Sequence, residues 1–227
     1  ETAPSATLPT RFMGPDGKPL PFIQAFPGGL SVGVPGNIAL MAKVHAKWGK
    51  LPWARLFDPA IRISENGFQV TPALASRLNQ LKKIWVDFPD AQAIYWQDGR
   101  PKTVGETVKN PAIAALLRSV AKGGAKVFYS GSNAKAITTA TSASARNKAV
   151  ITARDIASYR AKNRPAVCTT YRAYKLCGMG PPSSGATTVF QILGMLERFD
   201  MKAMGKDDPR SWHVIAEAMM LAYADRE

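Results

Sequence analysis

No stretch of this sequence approaches the roughly 20 apolar residues that cross a bilayer as a helix, so no membrane span is expected. Cysteine is scarce, with 2 in 227 residues, and so is histidine, also with 2. Two cysteines cannot build a disulfide scaffold. Neither histidine stands at a ligand spacing from a cysteine, so no metal and no cofactor is expected. Acid is scarce too: 16 Asp and Glu against 30 Lys and Arg leave a net charge of +14. Residues 107–154 hold no acid, while Lys109, Arg118, Lys122, Lys126, Lys135, Arg146, Lys148 and Arg154 accumulate there. A basic face attracts polyanions without being built for them. No helix-turn-helix, zinc-ligand set or aromatic–basic interleaving accompanies it, so nucleic acid is not expected as a partner. Gly-x-Ser-x-Gly, phosphate-loop and HExxH motifs are missing, and so is an evident Ser/His/Asp triad.

What is present is a composition fit for a core. The apolar fraction is 46%, which excludes a disordered chain. Gly and Pro are scattered rather than periodic, which excludes collagen. The length suits one large domain or two small ones, and residues 1–227 are read as a single one. The start, Glu1-Thr2-Ala3-Pro4, shows neither Met nor a basic-then-apolar leader. The last helix runs to Glu227 without a stop signal, so both ends look cut.

Residues 1–34 read as loop. Helical spacing of Ile38, Met41, Ala42 and His45 predicts a helix from Pro35 to about Trp48. Pro52 can open a second, through Ile63, with Gly67 at its end. Thr71-Pro72 opens a third through Trp85. Ile94-Tyr95-Trp96 followed by Asp98-Gly99 reads as a small hairpin. Asn110-Pro111 starts a helix that ends at Gly123-Gly124, and residues 127–145 form a weaker one. Thr152 with Asp155 three residues on marks another helix start. Residues 164–178 alternate as a hairpin would. Two helices close the chain, from Gly185 to Phe199 and from Asp208-Pro209 onward. The balance is α+β, mostly helix with few strands.

Within the hairpin, a two-residue turn at Arg172-Ala173 sets Cys168 opposite Cys177 at a non-hydrogen-bonded pair, where side chains lie closest. A cross-strand disulfide and two buried free thiols both fit. Pro181-Pro182-Ser183-Ser184-Gly185 follows as a strand-to-helix transition. Its unpaired N–H groups could hold an anion, and the plainer reading is an N-cap formed by Ser183 or Ser184. His45 and His213 each sit among apolar residues on a helix, where a packed histidine is commoner than a base. Asp225-Arg226 reads as an ion pair.

Several motifs, in order, resemble the γ-glutamyltranspeptidase family. They are Val34-Pro35-Gly36, His45-Ala46-Lys47-Trp48-Gly49-Lys50-Leu51-Pro52-Trp53, Pro59-Ala60-Ile61 and Asn66-Gly67-Phe68. Further on come Val127-Phe128-Tyr129-Ser130-Gly131, Ile151-Thr152-Ala153-Arg154-Asp155 and Tyr159-Arg160. The most specific are Tyr171-Arg172-Ala173-Tyr174, Pro181-Pro182-Ser183-Ser184-Gly185 and Ala222-Tyr223-Ala224-Asp225-Arg226. The resemblance implies an αββα N-terminal-nucleophile hydrolase, made as a zymogen that cuts itself into a heterodimer. This chain would be an incomplete large subunit. The nucleophile would be the N-terminal Thr of a separate small subunit, attacking a γ-glutamyl amide such as that of glutathione. The resemblance therefore places no catalytic residue in this chain. It puts the carboxylate-binding Arg just before Glu1, outside the sequence, and makes residues 181–185 a structural turn near the subunit seam. Position 186 is Ala where the family has Gly. Alternatives of the same ancestry are a cephalosporin or glutaryl acylase and a non-catalytic binding homologue. The family's habit also implies maturation in the periplasm or outside the cell.

Overall fold

The computed structural model describes residues 2–226, so the expectations resting on Glu1 and Glu227 lie outside the described residues. The chain divides into two compact units, residues 1–161 and 162–227. The first unit is helical, with two short antiparallel strand pairs among its described residues. Its elements are α1 (Phe22–Ala25), α2 (Asn37–Trp48), α3 (Asp58–Asn66), β1 (Phe68–Gln69), α4 (Pro72–Gln80), α5 (Lys82–Trp85), α6 (Pro89–Tyr95), β2 (Trp96–Gln97), β3 (Arg100–Pro101), β4 (Thr107–Val108), α7 (Pro111–Gly123), α8 (Gly131–Ser142) and α9 (Ala153–Ser158). Antiparallel pairs join β1 to β4 and β2 to β3. The second unit holds β5 (Val167–Tyr171), β6 (Tyr174–Gly178), α10 (Gly185–Leu196), α11 (Met201–Met204) and α12 (Pro209–Arg226).

Helix starts follow the caps written in the sequence. Thr71 accepts from the Leu74 N–H and Asn110 from the Ile113 N–H, each just before a proline in the first turn. Thr152 and Asp155 complete a reciprocal capping box on α9. Three expected elements come out differently. The helix expected from Pro52 is a 3-10 turn over Trp53–Phe57 and then α3. Pro59 has no N–H to continue an earlier ladder, and it is tolerated only in the first turn of a new helix. The helix expected from Thr71 to Trp85 breaks at Leu81 into α4 and α5. Ile94 and Tyr95 belong to α6 rather than to a strand, because Pro89 and the first-turn Asp90 open a helix there. The hairpin turn beyond them stands: Asp98 and Gly99 both have positive φ, as a type I′ turn requires.

Two clusters hold the first unit. In one, Val34, Tyr129, Ala134, Ile151 and Ile156 are buried together. Tyr129 ties it across the chain: its hydroxyl donates to the Pro35 carbonyl and accepts from the Ala39 N–H, both at 3.0 Å. Burial pushes the Tyr129 hydroxyl pKa up, so it remains a donor. In the other, Phe57, Ile61, Ala114 and Val120 join α3 to α7, and Trp53 Nε1 donates to the Val120 carbonyl.

Much apolar surface is left over. The accessible surface is 15501 Å². A compact monomer of 24.5 kDa exposes about 10,000 Å², and two separate bodies of these lengths about 12,000 Å². Many large apolar side chains are among the exposed residues. No residue of α2 is buried, and Trp48 is 64% exposed. In the second unit α12 buries only Ser211, Ala218 and Ala222, while Trp212 is 63% and Leu221 61% exposed.

Glu106 offers a pH test of local order. It accepts from both terminal nitrogens of Arg100, at 2.8 and 2.9 Å, and from the Thr103 hydroxyl at 2.8 Å. These donors hold its carboxyl down at about 2, led by Arg100. An unfolded Glu takes up its proton near pH 4.3. The group thus stabilises the fold above that pH and ceases to do so as the pH falls toward 2. We predict that the melting-temperature gap between the wild type and Glu106→Gln, measured from pH 6 downward, narrows below about pH 4.3 and closes near 2.

Candidate functional site

The second unit carries the residues singled out most strongly in the sequence. β5 and β6 pair antiparallel with Cys168 opposite Cys177 and Tyr171 opposite Tyr174, which leaves Arg172-Ala173 as the turn. Arg172 takes a positive φ of 52°, unusual for a residue with a side chain. It is pinned there: its N–H donates to Glu197 Oε1 and its guanidinium to the Phe199 carbonyl, both at 2.8 Å. The two cysteines form a disulfide, with Cα atoms 4.1 Å apart, as suits a non-hydrogen-bonded pair.

Alternation gives the hairpin two different faces. Cys168, Thr170, Lys175 and Cys177 share one face, and all four are exposed. The disulfide is therefore a surface feature of this unit rather than part of its core. Thr169, Tyr171, Leu176 and Gly178 share the other face and are half-buried. α10 packs on that side, close enough that a Cβ on Gly178 would come within 2.5 Å of the Ala186 Cβ. Gly178 is thus fixed by the approach of α10.

Beyond Gly178 the chain turns through Pro181-Pro182, joined by a cis peptide bond, and the Ser183 N–H donates to the Gly180 carbonyl. Arg164 steadies the turn by donating to the Pro181 carbonyl at 3.1 Å. Ser184 occupies the N-cap of α10, but in helical geometry and without a side-chain bond into the first turn. The capping role expected of Ser183 or Ser184 is therefore not played by a hydroxyl. The Ser184 carbonyl accepts the first helical bond, from the Thr188 N–H, and also the Thr187 hydroxyl.

Other candidates settle into structural roles. His45 contacts the Leu51 carbonyl through Nε2 at 2.8 Å and lies edge-on to Trp53. His213 lines a groove between α10 and α12, about 810 Å³ in volume, together with Arg198, Glu217 and Asp225. Asp225 and Arg226 do not pair: Asp225 accepts from Gln191, and Arg226 lies over the Tyr223 ring. Successive residues on a helix point about 100° apart, which disfavours their pairing. Among the described residues no group of three His, Cys, Asp or Glu side chains could hold a metal ion. Sequence reasoning passed over Arg11, which ties residues 7–11 to Leu30 by donating to the Leu30 carbonyl and the Thr7 hydroxyl. A single arginine in a Pro- and Gly-rich segment carries no periodic signal.

The γ-glutamyltranspeptidase family model matches residues 1–227. The chain belongs to the γ-glutamyltranspeptidase family. It is 33% identical over its whole length to a glutathione hydrolase proenzyme of Escherichia coli strain K12, and spans 38% of that relative. It is 32% identical over 199 residues to an acylase ACY 1 proenzyme of Pseudomonas sp. strain V22, spanning 88% of this chain and 35% of that one. The solved γ-glutamyltranspeptidase of Helicobacter pylori covers this whole chain with a TM-score of 0.89 and 32% identity, over 64% of its own chain. The cephalosporin acylase of Bacillus halodurans covers 86% of it with a TM-score of 0.76 and 29% identity, over 37% of its own chain. The chain thus spans about two fifths of the curated relatives' length. Its fold is α+β, that of the family's N-terminal-nucleophile hydrolase structures.

The disulfide yields a direct prediction. It closes a loop of sequence separation 9, for which loop-closure entropy gives about 2–3 kcal/mol. Replacing both cysteines by serine should lower stability in a urea titration by about that amount. Unreduced protein should resist alkylation, and a reductant should make both thiols reactive.

Proposed function

We propose that the protein carrying this chain cleaves γ-glutamyl amides, glutathione among them, and passes the γ-glutamyl group to water or to an amino acceptor. The observation that carries this reading is the match to a solved γ-glutamyltranspeptidase over the whole chain, with a TM-score of 0.89. In the proposed mechanism a precursor cuts itself, and the Thr freed at the start of a small subunit is the nucleophile. Its hydroxyl attacks the γ-glutamyl carbonyl, its own α-amino group takes the proton, and an acyl-enzyme forms that the acceptor resolves. Donors fixed around the carbonyl oxygen would stabilise the tetrahedral intermediate. No side chain of this chain enters those steps. Its proposed part is to frame the small subunit, which would cover the apolar faces left exposed here. We also propose maturation in the periplasm or outside the cell, where a surface disulfide such as Cys168–Cys177 persists.

A second reading, an acylase for glutaryl-type side chains, is favoured by the nearly equal identity to an acylase proenzyme. The two substrates differ by the α-amino group, which glutamyl has and glutaryl lacks. A site built to bind that ammonium discriminates strongly, because its polar groups are left unpaired by the analogue. We predict that the intact protein cleaves γ-glutamyl-p-nitroanilide with kcat/KM at least about 100-fold above that for glutaryl-p-nitroanilide. The reverse preference would assign it to the acylases, and no cleavage of either would leave a binding homologue.

A further inference from the structure

A bridge that serves stability alone has no need to face solvent, and the Cys168–Cys177 disulfide does face it. Both cysteines are exposed, and α10 packs on the opposite face of the hairpin, where Gly178 meets Ala186. The strands have ties besides the disulfide. β5 and β6 pair through five residue pairs, and the bonds of Arg172 to Glu197 and Phe199 hold the turn. The two sulfurs therefore stay opposite each other when the bond between them is cut. Exposed disulfides are open to attack by thiolates and are the labile ones.

The charge around the bridge has one sign. Residues 162–178 contain Lys162, Arg164, Arg172 and Lys175, and no Asp or Glu. Lys175 is exposed and shares the cysteines' face, two residues from Cys177. At the rise of a strand that is a separation of about 7 Å. The acids among the described residues of this unit lie elsewhere. Glu197 and Asp200 stand at the turn end, beside Arg172. Asp207 and Asp208 pair with Lys206 and Arg210. Glu217 and Asp225 line the groove of α10 and α12. Lys175 is thus the cation next to the sulfurs. A cation there draws in an anionic thiol and stabilises the thiolate that leaves.

We propose that this disulfide is an exchange site for small thiols of net negative charge, which it captures as a mixed disulfide on Cys168. The incoming thiol gives its proton to water and attacks as the thiolate. Its sulfur bonds to Cys168 Sγ as the bond to Cys177 breaks, and the electron pair of that bond leaves on Cys177 Sγ, beside Lys175. The Cys177 thiolate then takes a proton from water. One disulfide replaces another, so no oxidant or further reductant is consumed. Return attack by Cys177 on Cys168 Sγ expels the thiol and closes the bridge, which makes the capture reversible. Glutathione, with two carboxylates and one ammonium, belongs to this class of thiol. The site rests on the hairpin alone and is independent of the γ-glutamyl chemistry.

The test uses the intact protein and two probes of matched size, the anionic 2-mercaptoethanesulfonate and the cationic cysteamine. Early samples are quenched in acid, capped with a maleimide and read by peptide mass mapping, with rates compared per thiolate. At low ionic strength the sulfonate should open the bridge about tenfold faster. Its adduct should sit on Cys168 and the maleimide on Cys177. Salt at about 1 M should bring the two rates together. Lys175→Gln, at an exposed position, should cut the preference to about threefold. Because the preference is a ratio, a general change in the reactivity of the bridge cancels from it. Equal rates at low salt, a preference that persists at high salt or stays undiminished in Lys175→Gln, an adduct on Cys177, or a bridge closed to both thiols would each overturn the proposal.

Discussion

The constraint that stands out in this chain is how little of their large apolar side chains its helices bury. α2 and α12 show it most plainly. On α12 the buried residues are the small ones, Ser211, Ala218 and Ala222, while Trp212, Met219, Met220, Leu221 and Tyr223 remain exposed. A helix that buries its alanines and shows its large side chains gains little from its own unit. Helix formation in water depends chiefly on tertiary packing of an apolar face.

Within each unit, order is concentrated where polar groups close long loops. Tyr129 joins α2 to the segment before α8, with both its donor and its acceptor capacity used. Asp155 completes the cap of α9 and also accepts from the Ser5 N–H, which ties residues 2–5 to the cluster around Ile156. Four donors hold its carboxyl well below the usual range, led by the Thr152 N–H. In the second unit the hairpin is clamped at both ends, by the disulfide at Cys168–Cys177 and by the bonds of Arg172 to Glu197 and Phe199. That leaves the turn of residues 181–185 between a fixed strand and the start of α10.

Legibility in the sequence followed the range of the interaction. Caps are local, and Thr71, Asn110 and Thr152 announced their helices within three residues. The hairpin register was equally local, since a two-residue turn at Arg172-Ala173 admits one pairing. The break at Pro59 and the helix opened by Pro89 also had local causes, but apolar periodicity outweighed them in the reading. Pairing of Phe68 with Val108 spans 40 residues of sequence and left no mark in either strand, each of which is two residues long. The capping role of Ser184 failed for a different reason: its backbone adopts helical geometry, which takes the hydroxyl out of position.

We propose that this chain is one part of a self-processed γ-glutamyl-transferring enzyme whose other part covers its apolar faces. Intact mass and N-terminal sequencing of every polypeptide in the purified, native protein test it most directly. The account predicts two polypeptides in equal amounts that stay associated, the smaller beginning with Thr. A single uncut polypeptide, stable and fully folded, would contradict it.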